Sequence, residues 1–346
     1  MVLHQLRAAV CGAAVGAVLA LFWPAWAQAQ IANFHPCNAQ PALPVCQHGY
    51  GKRIAVKRWG AIPDPLDPDA AVNAPLVTGS PARDVRKLRS SSALVQDVRS
   101  GEILFARGAD DVRPIASITK LMTALVVVEA GLPMDETLRI EASDVQVPSE
   151  LPSRLAIGTR LSRADLLHVA LTSSENSAAH ALGRTYPGGM GAFVDAMNAR
   201  AHALGMDDSR FVEPVGLSNE NVSSARDLAK LLAAAARQPL IQAYTTDTAY
   251  ETVGQVFRNT NMLVGRANWD ILASKTGTTR EAGNCLVMMV ALAGRPLAVV
   301  LLDAQGMNGA RFGDAVRLRR IVSSQLAAEA AAGVQPPTVA GALAAQ

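Results

Sequence analysis

Excess charge is the first thing this sequence lacks. Its 32 Lys and Arg against 29 Asp and Glu leave a formal charge of +3 over 346 residues, with the basic residues scattered rather than striped. The electrostatic footprint of a nucleic-acid binder is therefore missing. Cysteine is nearly as scarce, four in all: Cys11 lies in an N-terminal apolar run, Cys37 and Cys46 flank a short Pro-rich loop, and Cys285 stands in a later apolar stretch. The last three allow three single pairings, of which Cys37 with Cys46 is one. After residue 29 no run of 18 or more apolar residues occurs, which excludes an ordinary helical membrane span there. His168, His180 and His202 show neither HExxH nor paired-ligand spacing, so no metal is expected. A G-x-S-x-G elbow, a Walker loop and a dinucleotide glycine fingerprint are also missing, and no cofactor is implied. No internal repeat is present.

What is there begins with an export pattern. Met1 to Arg7 carries positive charge, Ala8 to Phe22 is apolar, and Ala25-Trp26-Ala27-Gln28-Ala29 offers small-x-small cleavage sites after Ala27 or Ala29. Residues 1–29 thus read as a secretory signal peptide, with an uncleaved anchor as the alternative. Residues 30–90 are poor in periodic patterning and studded with prolines such as Pro63, Pro68, Pro75 and Pro81, the composition of a poorly ordered leader.

Regular structure is predicted from Ser91. Residues 93–98 and 103–106 read as two strands around the hairpin-like Arg99-Ser100-Gly101-Glu102. A helix carrying Ser117 runs to about Ala130, ended by Gly131 and Pro133. Ser162 is placed to cap a helix over Arg163 to Leu171, and further helices are expected over about 177–186, 191–204 and 225–237. Cys285 to Leu292 and Leu297 to Leu302 are almost continuous apolar runs, as in the central strands of a sheet covered on both faces. A last helix, about Gly309 to Ala331, packs on that sheet, and 333–346 is a disordered tail. The predicted fold is α+β: an antiparallel sheet covered by helices, with an all-helical lobe inserted at about 141–250 and the site in the cleft between them.

Three short motifs carry chemistry. Ser117-x-x-Lys120 sets a hydroxyl and an amine one turn apart on a helix face, where a lysine withdrawn from water could take the serine proton. Alone the spacing proves little, arising by chance about once in a chain of this length. Ser174-x-Asn176 lies in a turn between helices, offering a hydroxyl as proton relay and an amide for a substrate carbonyl. Lys275-Thr276-Gly277 leads a strand, where a strand edge, a cation and a hydroxyl can meet an extended peptide ending in a carboxylate. Gly277 leaves room for backbone approach, and the N–H groups of Ser117 and Thr278 form the oxyanion hole.

In this order the motifs resemble those of the serine DD-peptidases, the penicillin-binding proteins and β-lactamases with S-x-x-K, S-x-N and K-T-G. The resemblance spans about Ser91 to Ala328, in a catalytic domain drawn at 91–332, and implies a β-lactamase/transpeptidase-like fold. Tyr186-Pro187-Gly188-Gly189, Arg210 to Leu217 and Phe257 to Asn261 are similar to the low-molecular-mass D-alanyl-D-alanine endopeptidases. Thr279-Arg280-Glu281-Ala282 departs from the pattern. The resemblance implies that Ser117 attacks a D-Ala-D-amino-acid bond of peptidoglycan and that Lys120 is the acylation base. Ser174 and Lys275 would pass a proton to the leaving amine; Asn176, Thr276, Gly277 and Thr278 would bind substrate. Peptidoglycan peptides and β-lactam antibiotics are the implied partners. A carboxypeptidase releasing terminal D-Ala, a β-lactamase and a non-catalytic peptidoglycan-binding protein are the rivals. Glu213 could serve a lactamase as deacylating base, but its Phe211-x-Glu213-Pro214-x-Gly216-Leu217 setting reads as a structural turn.

The sequence leaves oligomeric state open. It leads us to expect a periplasmic enzyme with no stable membrane anchor after signal cleavage, loosely associated at most through basic residues such as Arg317 and Arg320. Such contacts are screened in about 1 M salt, where the Debye length is roughly 3 Å. A salt wash of the envelope fraction is expected to release the protein; retention until detergent is added would mean an uncleaved anchor.

Overall fold

A computed structural model of the chain describes residues 81–146, 152–307 and 309–332. The expected signal peptide, the candidate Cys37–Cys46 pairing and the expected tail beyond residue 332 lie outside the described residues. The described chain opens with α1 (Pro81–Arg86), β1 (Ser90–Asp97), β2 (Ile103–Arg107) and the short β3 (Arg113–Pro114). A 3-10 turn over Ala116–Ile118 feeds α2 (Thr119–Glu129), followed by β4 (Thr137–Arg139), α3 (Ala142–Val145) and β5 (Arg160–Ser162). Next come α4 (Arg163–Thr172), α5 (Asn176–Arg184), α6 (Gly189–Ala203), β6 (Val222–Ser223), α7 (Ala225–Ala235) and α8 (Pro239–Thr246). The hairpin β7 (Ala249–Thr252) and β8 (Gln255–Arg258) precedes three long strands, β9 (Asp270–Thr279), β10 (Gly283–Leu292) and β11 (Arg295–Ala304), and α9 (Ala310–Ala331) closes the domain.

The main sheet is antiparallel with strand order β2-β1-β11-β10-β9. Strands from the two ends of the domain pair at its centre, Ser92 opposite Leu302 and Val95 opposite Val299, so the helical lobe is an insertion between them. The loop joining β10 to β11 is Ala293-Gly294, both with positive φ (51° and 74°), the two-residue geometry that suits the twist of a hairpin. Because side chains alternate across a strand, one apolar run supplies two cores. Leu286, Met288, Leu297, Val299 and Leu301 face α9, where they meet Phe312, Leu318, Ile321 and Val322. Val287, Met289, Val300 and Leu302 face the lobe. Covered on both faces, these strands need no polar alternation.

At the lobe's centre is α2, buried at every position from Thr119 to Val127 and touching α4, α5, α6, α7 and α8. A helix without a polar face must be surrounded. Its neighbours carry strong local signals: Ser162 and Asp165 form a reciprocal capping box at the start of α4, and Ser224 caps α7.

Four expectations need correction. The leader does not extend to residue 90: α1 packs on α9, with Asp84 paired to Arg320 at 2.8 Å and Leu88 in the core. Pro81 opens that helix, a position where its missing N–H does no harm. The lobe does not begin at 141, since its central helix is residues 119–129, and α7 lies against β1, β10 and β11 as well as α2. Helix α8, with Pro239 at its start, adds a helix after the one expected over 225–237. Lys275-Thr276-Gly277 does not lead its strand but lies inside β9, which begins at Asp270. The basic residues of α9 are also committed within the fold: Arg317 pairs with Asp314 at 3.1 Å, Arg320 with Asp84, and Arg319 lies 5.1 Å over the Trp269 ring.

The start of β1 is fastened by one buried carboxylate. Asp314 accepts from the Arg89 and Ser90 amides at 2.8 and 2.7 Å and from the Ser90 hydroxyl at 2.7 Å. Asp314→Ala strands those donors, at a cost of about 3 kcal/mol. Urea unfolding should show a lower midpoint with an unchanged slope; an unaltered midpoint would show that the fastening contributes nothing.

Candidate active site

The site forms where the 3-10 turn meets the edge of the sheet. Ser117 is not in the expected α-helix but in the tighter 3-10 turn before α2. Side chains three apart eclipse in 3-10 geometry, which aligns Ser117 with Lys120. The preceding Ala116 has φ 48°, a left-handed conformation costing on the order of 1 kcal/mol for a residue with a Cβ. Two glycines hold it there. A Cβ on Gly216 would stand 2.0 Å from the Ala116 carbonyl oxygen, and one on Gly277 would stand 2.9 Å from the Ile115 oxygen and 3.0 Å from the Ser117 nitrogen. The turn is thus pressed between β9 and the loop after α6 by backbone contact that no side chain could share.

Lys120 is fully buried, and its Nζ has three partners: Ser117 Oγ at 2.9 Å, Asn176 Oδ1 at 2.9 Å and the Val215 carbonyl oxygen at 2.8 Å. Burial lowers its pKa to about 7, against an upward pull from Glu213 and Glu175. As an ammonium it donates to all three partners. Once one proton leaves, two of those partners can still only accept, so the lone pair falls to the one that can donate, the Ser117 hydroxyl. The surroundings therefore select both the free amine and its direction.

Ser174, in the turn between α4 and α5, also has a positive φ (63°). Its Oγ accepts from Lys275 Nζ at 2.9 Å, and Lys275 donates a second bond to the Thr276 carbonyl oxygen at 3.0 Å. Lys275 is fully buried and its pKa is held well below that of a free lysine, first by burial and then by the charges of Lys120 and Arg311. Thr276 Oγ1 lies 2.6 Å from Thr260 Oγ1, and Thr278 stands exposed on β9, the edge strand, opposite Asn284. The structure thus brings Ser117, Lys120 and Asn176 into one bonded group and Ser174 and Lys275 into a second. Gly277 packs on the Ser117 backbone. Among the described residues no cluster of three His, Cys, Asp or Glu side chains is placed to hold a metal.

Two contributors had no visible signal. Arg311, in the first turn of α9, is buried; its Nη1 donates to the Gly277 carbonyl at 2.8 Å and to Thr278 Oγ1 at 2.6 Å, while its Nε has no hydrogen-bond partner. Burial lowers its pKa, and its positive charge stands directly behind the strand edge. In the sequence Arg311 is one more arginine at the start of an amphipathic helix. The Val215 carbonyl is invisible for a simpler reason: it is backbone. Glu213, weighed above as a deacylating base, turns into its own loop, where Oε1 accepts from the Gly216 and Leu217 amides at 2.7 and 2.8 Å.

A sequence profile of the D-alanyl-D-alanine carboxypeptidase family of peptidases matches residues 78–306. The D-alanyl-D-alanine endopeptidase of Pseudomonas aeruginosa is 50% identical over 242 residues, covering 68% of this chain and 77% of that protein. That of Escherichia coli is 48% identical, covering 67% and 77%. Among solved structures, penicillin-binding protein D2 of Listeria monocytogenes in its cefotaxime-bound form superposes with a TM-score of 0.60 at 32% identity, over 68% of this chain and 97% of that one. The Streptomyces K15 DD-transpeptidase superposes with a TM-score of 0.64 at 25% identity, over 68% and 98%. A match that takes in the whole sheet except its covering helix, together with a lysine desolvated against a serine, leaves one assignment: the chain belongs to the D-alanyl-D-alanine carboxypeptidase family of serine DD-peptidases.

Proposed function

We propose that this protein is a periplasmic DD-endopeptidase that cuts peptidoglycan cross-links through a Ser117 acyl-enzyme, and that penicillins acylate the same hydroxyl. The observation that carries the reading is the environment of Lys120, a buried amine whose other partners, Asn176 Oδ1 and Val215 O, leave its lone pair only to Ser117. Ser117 Oγ attacks the D-Ala carbonyl carbon while its proton passes to Lys120. The oxyanion is met by the N–H groups of Ser117 and Thr278, beside the Arg311 charge. Collapse breaks the C–N bond, and the departing amine takes its proton through Ser174 and Lys275. Water then hydrolyses the ester, releasing the carboxylate and restoring Ser117.

Endopeptidase is preferred to carboxypeptidase because the relatives at 50% and 48% identity carry that name, whereas those named carboxypeptidase stand at 30% and below. The lactamase reading is disfavoured by the engagement of Glu213 with its own loop, where its carboxylate is held by the Val215, Gly216 and Leu217 amides. Acylation by β-lactams is supported by the Listeria relative, whose structures are cefotaxime-bound and ampicillin-bound forms. The periplasmic address rests on the pattern of residues 1–29.

Labelling by a fluorescent penicillin is expected to accelerate as pH rises through about 7, as Lys120 loses its proton. Below that point the rate should fall about tenfold per unit. Ser117→Ala should remain folded and unlabelled. A rate independent of pH from about 5 to 8 would remove Lys120 as the base, and labelling of the Ser117→Ala variant would mean another nucleophile.

Purified cross-linked muropeptides should be converted to monomers with little release of free D-Ala. The opposite product pattern would reassign the enzyme as a carboxypeptidase.

A further inference from the structure

The loop between α6 and β6 touches the lysine through its backbone, and one side chain gives that loop its shape. Glu213 Oε1 accepts from the amides of Gly216, Leu217 and Ser218 at 2.7, 2.8 and 3.2 Å and from Asn221 Nδ2 at 2.9 Å. Its Oε2 accepts from the Val215 amide at 2.5 Å. A carboxylate gathering four consecutive N–H groups fixes a tight loop, and the bonds are of the stronger, charge-assisted kind. That loop is sewn to α2 at three places. Asn221 Nδ2 reaches Thr119 Oγ1 at 3.1 Å, the Val215 carbonyl accepts from Lys120, and the Pro214 carbonyl accepts from Thr123 Oγ1 at 2.6 Å. Val215 is the joint: its N–H goes to Glu213 and its C=O to Lys120. The next residue, Gly216, presses on the Ala116-Ser117 backbone.

We propose that Glu213 is a positioning residue of this site, shaping the 213–218 loop so that the Val215 carbonyl grips Lys120, and lending the lysine a fixed negative charge. It touches neither the nucleophile nor any reacting atom. Its role deepens the function proposed above and rests on that reading. The geometry has an electrostatic consequence, because four charged groups surround Lys120 on the elements packed against it. Glu213 comes from the loop, Glu175 from the α4–α5 turn, Lys275 from β9 and, behind Lys275, Arg311 from α9. Glu175 is already occupied by the Ser153 and Ser177 hydroxyls at 2.9 and 3.1 Å, with Arg154 at 3.6 Å. Glu213, by contrast, is held by neutral amide groups, and residues 213–218 carry no cation to offset its charge. It opposes the desolvation of Lys120 and keeps the amine from becoming too weak a base to take a serine proton.

The test compares three variants by their rate of labelling with a fluorescent penicillin across pH. Glu213→Gln removes the charge and keeps the length. Glu213→Asn removes the charge with a side chain that caps turns of this kind. Glu213→Asp keeps the charge. For whichever uncharged variant folds, the limb that rises with pH should move to lower pH by about half a unit or more, and the plateau should fall roughly tenfold as the loop loosens. Glu213→Asp should keep the limb near its original place with a reduced plateau. A lower plateau with an unmoved limb in the uncharged variants would overturn the proposal, since a purely structural residue does that. Failure of both uncharged variants to fold would also overturn it, because the carboxylate would then be a requirement of the fold rather than a setting on the lysine. If the parent protein takes no label at all, the proposed function itself falls, which separates the two failures.

Discussion

The desolvation of Lys120 is the constraint on which the rest of this structure depends. An ammonium taken out of water is costly unless partners replace the solvent, and here the partners come from three separate segments: Ser117 beside it, Asn176 at the start of α5 and Val215 from the loop before β6. None of those segments can shift without leaving a buried amine unsatisfied. The site's chemistry and the domain's packing are therefore one problem, solved by a helix apolar on all sides that carries a single cation inward.

The second element is the clamp on the nucleophile. The Ala116-Ser117 backbone is held in a left-handed bend between two glycines, one on the sheet edge and one on the loop that Glu213 shapes. Strain of this kind persists only where surrounding structure over-determines it. Here the over-determination comes from the sheet, whose edge strand is fixed by nine residue pairings with β10. The rigid layer below thus sets the position of a hydroxyl that must attack in one direction.

Charge is distributed with the same economy. Lys120, Lys275 and Arg311 bring three cations into one buried region, and among the described residues none forms an ion pair with a carboxylate; their hydrogen bonds go to hydroxyls, an amide oxygen and backbone carbonyls. Neutral acceptors hold the cations without discharging them. Both lysines consequently hold their protons less tightly than a free lysine, Lys120 with a pKa of about 7, while the arginine, which cannot give up its proton in this range, supplies a permanent field at the strand edge.

Much of this was legible in the amino-acid sequence, because some signals are local. The spacing of Ser117 and Lys120, the Ser162 cap and the continuous apolar runs of β10 and β11 each act over a few residues, and they point to the fold class and the motif residues directly. What tertiary structure alone decided is what depends on distant neighbours. Pro81 reads as a breaker until α9 offers α1 a surface, and α8 is too short and too mixed in character to announce itself before α4 and β9 enclose it. Whether residues 116–118 coil as a 3-10 turn or as the start of α2 is settled by Gly216 and Gly277 pressing from outside. The Val215 carbonyl and the Arg311 guanidinium reach the site from 95 and 194 residues beyond Lys120 and Ser117 respectively (Lys120 to Val215, Ser117 to Arg311). A backbone oxygen has no letter in a sequence, and a lowered lysine pKa is a property of the missing water around it, which exists only once the chain has closed.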